Sequence, residues 1–214
     1  GSASVTALAD ELGVSSMTVR RDVKRLEEEG RLVSVAGGVA KPARLSLDAT
    51  HRVKLGIRPR EKAAIARRAA ELIRPGDLLY LDAGTTMLAL ARLLAARPAA
   101  ERVDVVTNDL AVAAAVGEHP GAQIHVLGGR LDAGNLSTDG PTAAAELAGF
   151  NIDLAFISAS SFDLRGLSVP TEGKAIVKRS IAEHADRCVL VADSSKYGRV
   201  STFKALPLRA FDAI

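Results

Sequence analysis

Apolar positions recur at helical spacing between Ser15 and Leu26. Val19, Val23 and Leu26 fall on one side, and at about 100° per residue Met17, Arg21 and Lys24 point the opposite way. Ser15 stands where a hydroxyl can cap that helix. Ahead of it, Ser4 can cap a first helix over Thr6 to Leu12, with Leu8 and Leu12 inward. Gly13 makes the turn, and Val14 fills the angle between the two helices. Beyond it, Glu27-Glu28-Glu29-Gly30 ends the helix at a glycine. Leu32, Val33 and Val35 then read as a short strand running into the turn Ala36-Gly37-Gly38-Val39. Two helices across a tight turn, followed by a small hairpin, predict a winged helix-turn-helix over residues 1–40.

From Glu61 onward the pattern alternates between helix and strand. Helices are expected over Glu61 to Ile73 (closed by Pro75-Gly76), Thr86 to Ala95, Leu110 to Val116, Thr142 to Ala148 and Thr171 to His184. Strands are expected over Leu78 to Leu81, Val103 to Val106, Ile124 to Leu127, Leu154 to Ile157 and Cys188 to Ala192. Phe211 to Ile214 reads as one more strand, past which a natural domain would continue. This rhythm specifies an α/β fold with a mostly parallel, Rossmann-like sheet over residues 61–214. Residues 41–60 are left as a linker.

Composition adds bounds to that picture. In 214 residues there is room for a small head and one larger domain. Hydrophobic residues make up 48% but aromatics only 3%, so Ala, Val and Leu must fill a sizeable core. The single Cys188 excludes an intrachain disulfide and suits a reducing cytoplasm. Flanked by Arg187 and Val189-Leu190-Val191-Ala192, it reads as an inert strand residue. No apolar run reaches the roughly 20 residues that span a bilayer, and no signal peptide opens the chain. A soluble, cytoplasmic protein with no membrane partner is expected. Charge is distributed locally: in the head, Arg20, Arg21, Lys24, Arg25 and Arg31 stand against Asp10, Glu11, Asp22 and Glu27 to Glu29. The head is therefore not basic overall. The linker carries Lys41, Arg44, Arg52, Lys54, Arg58 and Arg60 against Asp48 alone.

A helix with one apolar stripe and a cationic outer face can lie in a DNA major groove, where its cations meet base edges and phosphates. The candidate DNA-binding residues are Ser15, Ser16, Met17, Thr18, Arg20, Arg21, Lys24 and Arg25, with Gly37 and Gly38 of the wing. A basic linker would add phosphate contacts that hold without specifying; a merely solvated connector is the competing reading. A helical hairpin that only packs is the bland alternative for the head. The stretch VTALADELGVSSMTVRRDVKRLEEEGRLVSVAGGVA resembles the DNA-binding head of the DeoR family of bacterial transcriptional regulators, in its S-x-x-T-V-R-R-D run and the Gly pair of the wing. Relatives carry another helix before the position of Val5, so the head is expected to be truncated, and Gly1-Ser2 reads as a cloning remnant. Double-stranded operator DNA is the partner this resemblance implies. One head contacts too few bases for genomic specificity, so a homo-oligomer, dimer or tetramer, is expected.

In the larger domain the chemistry gathers at the carboxyl ends of strands, where open α/β sheets bind ligands. Asp82-Ala83-Gly84-Thr85-Thr86 joins a strand to a helix; its amides and Thr hydroxyls could cradle an anion at the helix N-terminus. An ordinary strand-to-helix turn is the alternative. No Gly-Lys-Ser/Thr follows, and the G-x-G-x-x-G fingerprint is absent, so no nucleotide cofactor is expected. Thr107-Asn108, Gly128-Gly129-Arg130, Gly140-Pro141 and Asp193-Ser194-Ser195-Lys196 recur at equivalent places. Glu172, Lys174 and Lys178 lie on the helix that begins near Thr171. Together they describe a pocket for a small phosphorylated polyol, with cations neutralising its charge while Asp and Asn bind hydroxyls.

The motifs DAGTT, VTND, LGGR, the Gly-Pro pair, the E-x-x-x-V-K-R helix and ADSSKYGR resemble the DeoR-type sensor domain, which is similar to ribose-phosphate isomerases. The resemblance implies a phosphorylated sugar or related metabolite as effector. By position it implies that Asp82, Gly84, Thr85 and Thr86 hold the phosphate, and that Asn108, Gly129, Arg130, Lys178, Asp193 and Lys196 line the rest; Glu172 is added from the same helix as Lys178. The chain departs from that pattern at Ser158-Ala159-Ser160-Ser161-Phe162-Asp163, where Ser160 stands in place of an Asp and Asp163 is the nearest acid. An isomerase needs a carboxylate beside the sugar carbons. Two classes therefore follow: a metabolite-controlled repressor of carbohydrate genes, which is no enzyme, or a sugar-phosphate isomerase-like enzyme with a helical appendage.

Overall fold

The computed structural model describes residues 2–28, 32–41, 43–45 and 49–214. The expected helix stop at Gly30, the cation Arg31 and the linker's Asp48 lie outside them. The head opens with β1 (Ser2–Ala3), α1 (Val5–Leu12) and α2 (Ser16–Glu28), followed by β2 (Val33–Val35) and β3 (Gly38–Ala40). Local chemistry sets each boundary. Ser4 Oγ accepts from Ala7 N at 3.0 Å, Ser15 Oγ accepts from Thr18 N at 3.1 Å, and Gly13 takes the left-handed turn at φ 64°. Ala9, Val19, Val23 and Val39 form the head's small core, with Val5, Leu8 and Leu32 against it. Two expected core residues are not in it. Leu12 is in phase with Leu8 but sits on the last turn, with nothing over it, and Val14 does not fill the helix angle; both are exposed. The wing is a three-stranded sheet in the order β1-β3-β2, and a Cβ on Gly38 would lie 2.1 Å from the Ala3 carbonyl oxygen. Only glycine lets β1 cross there.

The described part of the linker is largely folded. It contains β4 (Ala43–Leu45) and α3 (His51–Leu55), and β4 pairs in parallel with a strand of the larger domain.

That domain continues with α4 (Pro59–Ala70), β5 (Leu78–Leu81), α5 (Thr85–Ala95), β6 (Val103–Thr107), α6 (Leu110–Val116), β7 (Ala122–Val126), β8 (Arg130–Asp132), β9 (Ser137–Asp139) and α7 (Pro141–Leu147). It ends with β10 (Leu154–Ser158), β11 (Ser161–Asp163), β12 (Gly166–Val169), α8 (Glu172–His184), β13 (Cys188–Val191), β14 (Arg199–Ser201) and β15 (Phe203–Leu206). The central sheet is all parallel in the order β13-β10-β5-β6-β7. Successive side chains go to opposite faces: Leu79, Leu81, Leu154 and Phe156 join one core with α4 and α5, whereas Tyr80, Ala155 and Ile157 join the other with α7 and α8. Burial on both faces is why these strands read as continuous apolar runs. The order reverses direction at β5, with β6 on one side and β10 on the other. Their carboxyl ends form the crevice in which such sheets bind ligands.

Phe211 to Ile214 is not a strand. Ala213 makes a single bridge to Val189, and the neighbouring Asp212 spends its carboxylate on Cys188 N where a strand would continue. Next to it, Cys188 is buried, and burial followed by the charge of Asp212 pushes its thiol up to about 11. Ellman's reagent at mildly alkaline pH should leave the folded protein unmodified and titrate the thiol only after unfolding; equal rates in both states would show that β13 opens readily.

Candidate functional site

Two surfaces carry the candidate residues. On α2, Met17, Arg20, Arg21 and Lys24 lie within about a third of the helix circumference and are all exposed, with Met17 at 76%. Ser15 and Ser16 are exposed at the helix start, Thr18 is half-buried with its hydroxyl 2.9 Å from Ser15 Oγ, and Arg25 is exposed on the flank. The opposite side of the helix is held by Val19 and Val23 in the head's core. Glu27 Oε1 accepts from Ser34 N at 2.5 Å, which fixes the wing to the end of α2, and the turn glycine Gly37 is exposed at the wing's tip beside half-buried Gly38. The expected reading face is thus exposed on a helix whose other side is packed in the head's core.

The second surface is a cavity of about 90 Å³ at the β5–β10 crevice, room for several water-sized groups. Asp82, Gly84, Thr85, Thr86, Asn108, Lys178, Asp193 and Lys196 line it, as expected by position. Gly129, Arg130 and Glu172 do not. Arg130 begins β8 with its side chain 82% exposed and pairs with Asp139 at 3.3 Å. Gly129 packs at φ 114° against Asp139 and Thr142, and Glu172 is exposed on the first turn of α8. On that helix Lys174 and Lys178, four residues apart, share the face that meets the cavity; Glu172, two residues before Lys174, points away from it.

The floor is an electrostatic frame. Asp82 Oδ2 accepts from Ser158 N at 2.9 Å and from the ammonium of Lys178, and Ser158 Oγ lies 2.9 Å from the same oxygen. Lys178 Nζ also donates to Ser158 O at 3.0 Å. This joins the ends of β5 and β10 to α8. Buried Asp109 holds the DAGTT turn: its Oδ2 accepts from Gly84 N at 2.9 Å while Oδ1 caps α6 through Ala111 N and Val112 N. Burial pushes the Asp109 carboxyl up, and those three amides oppose the shift. The amide of Asn108 is committed as well, accepting from Tyr80 Oη at 3.0 Å and donating to Thr138 O at 2.7 Å. The Thr85 and Thr86 amides belong to the first turn of α5, where helical N–H groups lack internal partners.

Cations dominate the walls. Lys54, Lys62, Lys174, Lys178 and Lys196 face the cavity with only Asp82 and Asp193 as acids. Burial, then the charge of Lys196, lowers the Lys62 ammonium below its usual range. Burial alone would push Asp193 up, but hydrogen bonds from Ser195 and the charges of Lys196 and Arg58 hold it below the ordinary carboxylate range. Such a site is crowded with positive charge and suits an anion. Ser160 also lines it, whereas Asp163 ends β11, bound by Arg165 at 2.6 Å. His51, Lys54, Ile57, Lys62 and Asn135 are cavity residues that the sequence reading did not select. Lys54 stood out only as one charge in a basic run. Among the described residues there is no cluster of metal-ligating side chains and no helix long and apolar enough to cross a membrane.

Comparison with known proteins places the chain among regulators. Residues 1–44 match the DeoR-like helix-turn-helix domain and residues 57–214 the DeoR C terminal sensor domain. The HTH-type transcriptional regulator YgbI of Escherichia coli is 45% identical over 214 residues, covering 100% of this chain and 83% of that protein. The lactose phosphotransferase system repressor of Lactococcus lactis is 28% identical over 200 residues, covering 93% and 78%. Ribose 5-phosphate isomerase A of Methanocaldococcus jannaschii is a structural neighbour at a TM-score of 0.47 and 17% identity, covering 65% of this chain and 55% of that one.

Proposed function

The chain belongs to the DeoR family of transcriptional regulators, and from that premise we propose that it is a DNA-binding repressor of carbohydrate-metabolism genes, released or retained on its operator by a phosphorylated sugar or related metabolite in the cavity at the β5–β10 crevice. The observation that carries this reading is the set of five cavity lysines set against two carboxylates, at the N-terminus of α5. The phosphate belongs against the Thr85 and Thr86 amides, with Lys196 and Lys62 beside it and Asp193, held by Ser195 and Arg58, as acceptor for a hydroxyl. Asp82, Asp109 and Asn108 shape the site through neighbouring groups. In this reading the protein acts without turnover: Asp163, the acid nearest the departure at Ser160, is held by Arg165, and the two cavity acids are engaged by Lys178 and by Ser195 with Arg58. It works in the cytoplasm as a homo-oligomer, since paired half-sites require at least two heads.

Thermal unfolding with inorganic phosphate, ribose 5-phosphate and glucose 6-phosphate tests the reading. A ligand at about one hundred times its Kd adds about 2.7 kcal/mol. For a chain of this size that raises the midpoint by roughly 5–11 °C. No shift with any of the three removes the sensing half. Isomerisation of either sugar phosphate by the purified protein favours the enzyme instead.

A further inference from the structure

His51 has no explanation in the fold. It is 6% exposed, and its Nε2 is a buried polar atom without a hydrogen-bond partner among the described residues. Such an atom is costly to keep, and natural interiors keep few of them. His51 borders the cavity. The residue opens α3, the helix that lies between the DNA-binding head and the sensor domain. That helix is fastened elsewhere by bonds unconnected with the ring. His51 N donates to Gly134 O at 2.8 Å, Lys54 Nζ donates to Asn135 Oδ1 at 2.8 Å, and the Lys62 ammonium donates to the Lys54 carbonyl. The segment that joins head to sensor thus contributes His51 and Lys54 to the lining of the cavity, and that lining holds a buried polar atom with no partner among the described residues.

We propose that His51 reads the effector: its Nε2 hydrogen-bonds an oxygen of the bound phosphorylated metabolite, so that cavity occupancy is felt directly by the segment leading to the DNA-binding head. The inference rests on the cavity being a phosphorylated-metabolite site, as argued above. A ligand oxygen supplies the partner that the described residues do not, so occupancy adds a bond to α3 and tightens its docking. Because this segment joins head to sensor along the chain, the bond gives the ligand different affinities for two arrangements of the connector, which is what control of operator binding requires.

Calorimetric titration of the full chain with inorganic phosphate, ribose 5-phosphate and glucose 6-phosphate tests this, using wild type, His51→Phe and Lys196→Ala. His51→Phe keeps a ring of similar size and removes both nitrogens. Its unligated midpoint should be unchanged or raised, since a buried unsatisfied atom is gone. Its affinity for the best-binding sugar phosphate should fall about tenfold or more. Trypsin cleavage after Arg52 should be slowed by saturating ligand in wild type and not in the variant. If Lys196→Ala loses affinity while His51→Phe binds and is protected like wild type, the site reading stands and the role of His51 falls. If none of the probes binds wild type, both fall. Should the Phe variant not fold, His51→Ala is titrated in its place, and wild-type affinity there overturns the role equally.

Discussion

Replacing Asp82 by Ala should destabilise the sensor domain by about 3–5 kcal/mol, the loss found when one partner of a buried ion pair is removed. Asp82 and Lys178 are 3% and 6% exposed and hold each other directly. Without the carboxylate, the Lys178 ammonium is left buried with the Ser158 carbonyl as its remaining neutral partner. The Ser158 N–H loses its acceptor as well, while its hydroxyl keeps the Ala83 carbonyl, so the tie between α8 and the ends of β5 and β10 weakens at the place where the ligand would sit. Globular domains are stable by about 5–15 kcal/mol, so the loss is a large share of the total. Urea unfolding followed by circular dichroism measures it. Asp82→Asn, which keeps an acceptor for Ser158, should lose less, and Asp82→Ala with Lys178→Met should recover part of the loss of Asp82→Ala alone. A loss below about 1 kcal/mol in Asp82→Ala would mean that the pair is solvated and contributes little. Any failure of that variant to respond to effector then follows from a displaced Lys178, and not from a missing contact between Asp82 and phosphate.

The parts of the molecule that were legible from sequence are those fixed by local chemistry or by two-sided burial. Ser4, Gly13 and Ser15 act on neighbours three to five residues away, so the helix-turn-helix could be placed from its caps alone. The five parallel strands announce themselves because both faces are covered. The β8–β9 hairpin and the antiparallel sheet β11-β12-β15 were invisible for the opposite reason. Their strands are three or four residues long and several are polar, and β15 comes to β12 from far along the chain, as with Val169 opposite Phe203. The cavity divides in the same way. Asp82, Asn108, Asp193 and Lys196 follow strands and were found by their place at strand ends. His51, Lys54 and Asn135 arrive on a five-residue helix and a hairpin loop with no periodicity to reveal them. A basic run looks like solvated charge until the structure shows what it docks against, and only then does its histidine acquire a role.

Arg21→Ala should weaken binding to the operator by about 1–3 kcal/mol, roughly 5- to 150-fold in Kd. Arg21 lies near the middle of the outer face of α2, between Met17 and Lys24, while Val19 and Val23 anchor the opposite side. A recognition helix set this way points that guanidinium at base edges, where a bidentate contact discriminates between base pairs. The effect should therefore be selective. On an operator isolated from a random-sequence pool the variant loses affinity, and on unrelated duplex it loses much less. A cation that touches only phosphate behaves differently: its removal weakens all DNA alike and lowers the salt dependence by about one unit. Titrations of both duplexes at several salt concentrations separate the two cases. Equal losses on both would assign Arg21 to the backbone, and a loss of a few tenths of a kcal/mol would take it off the interface. In either case base reading would shift to Arg20, Lys24 and the exposed Met17, whose thioether can pack only against an apolar group such as the thymine methyl.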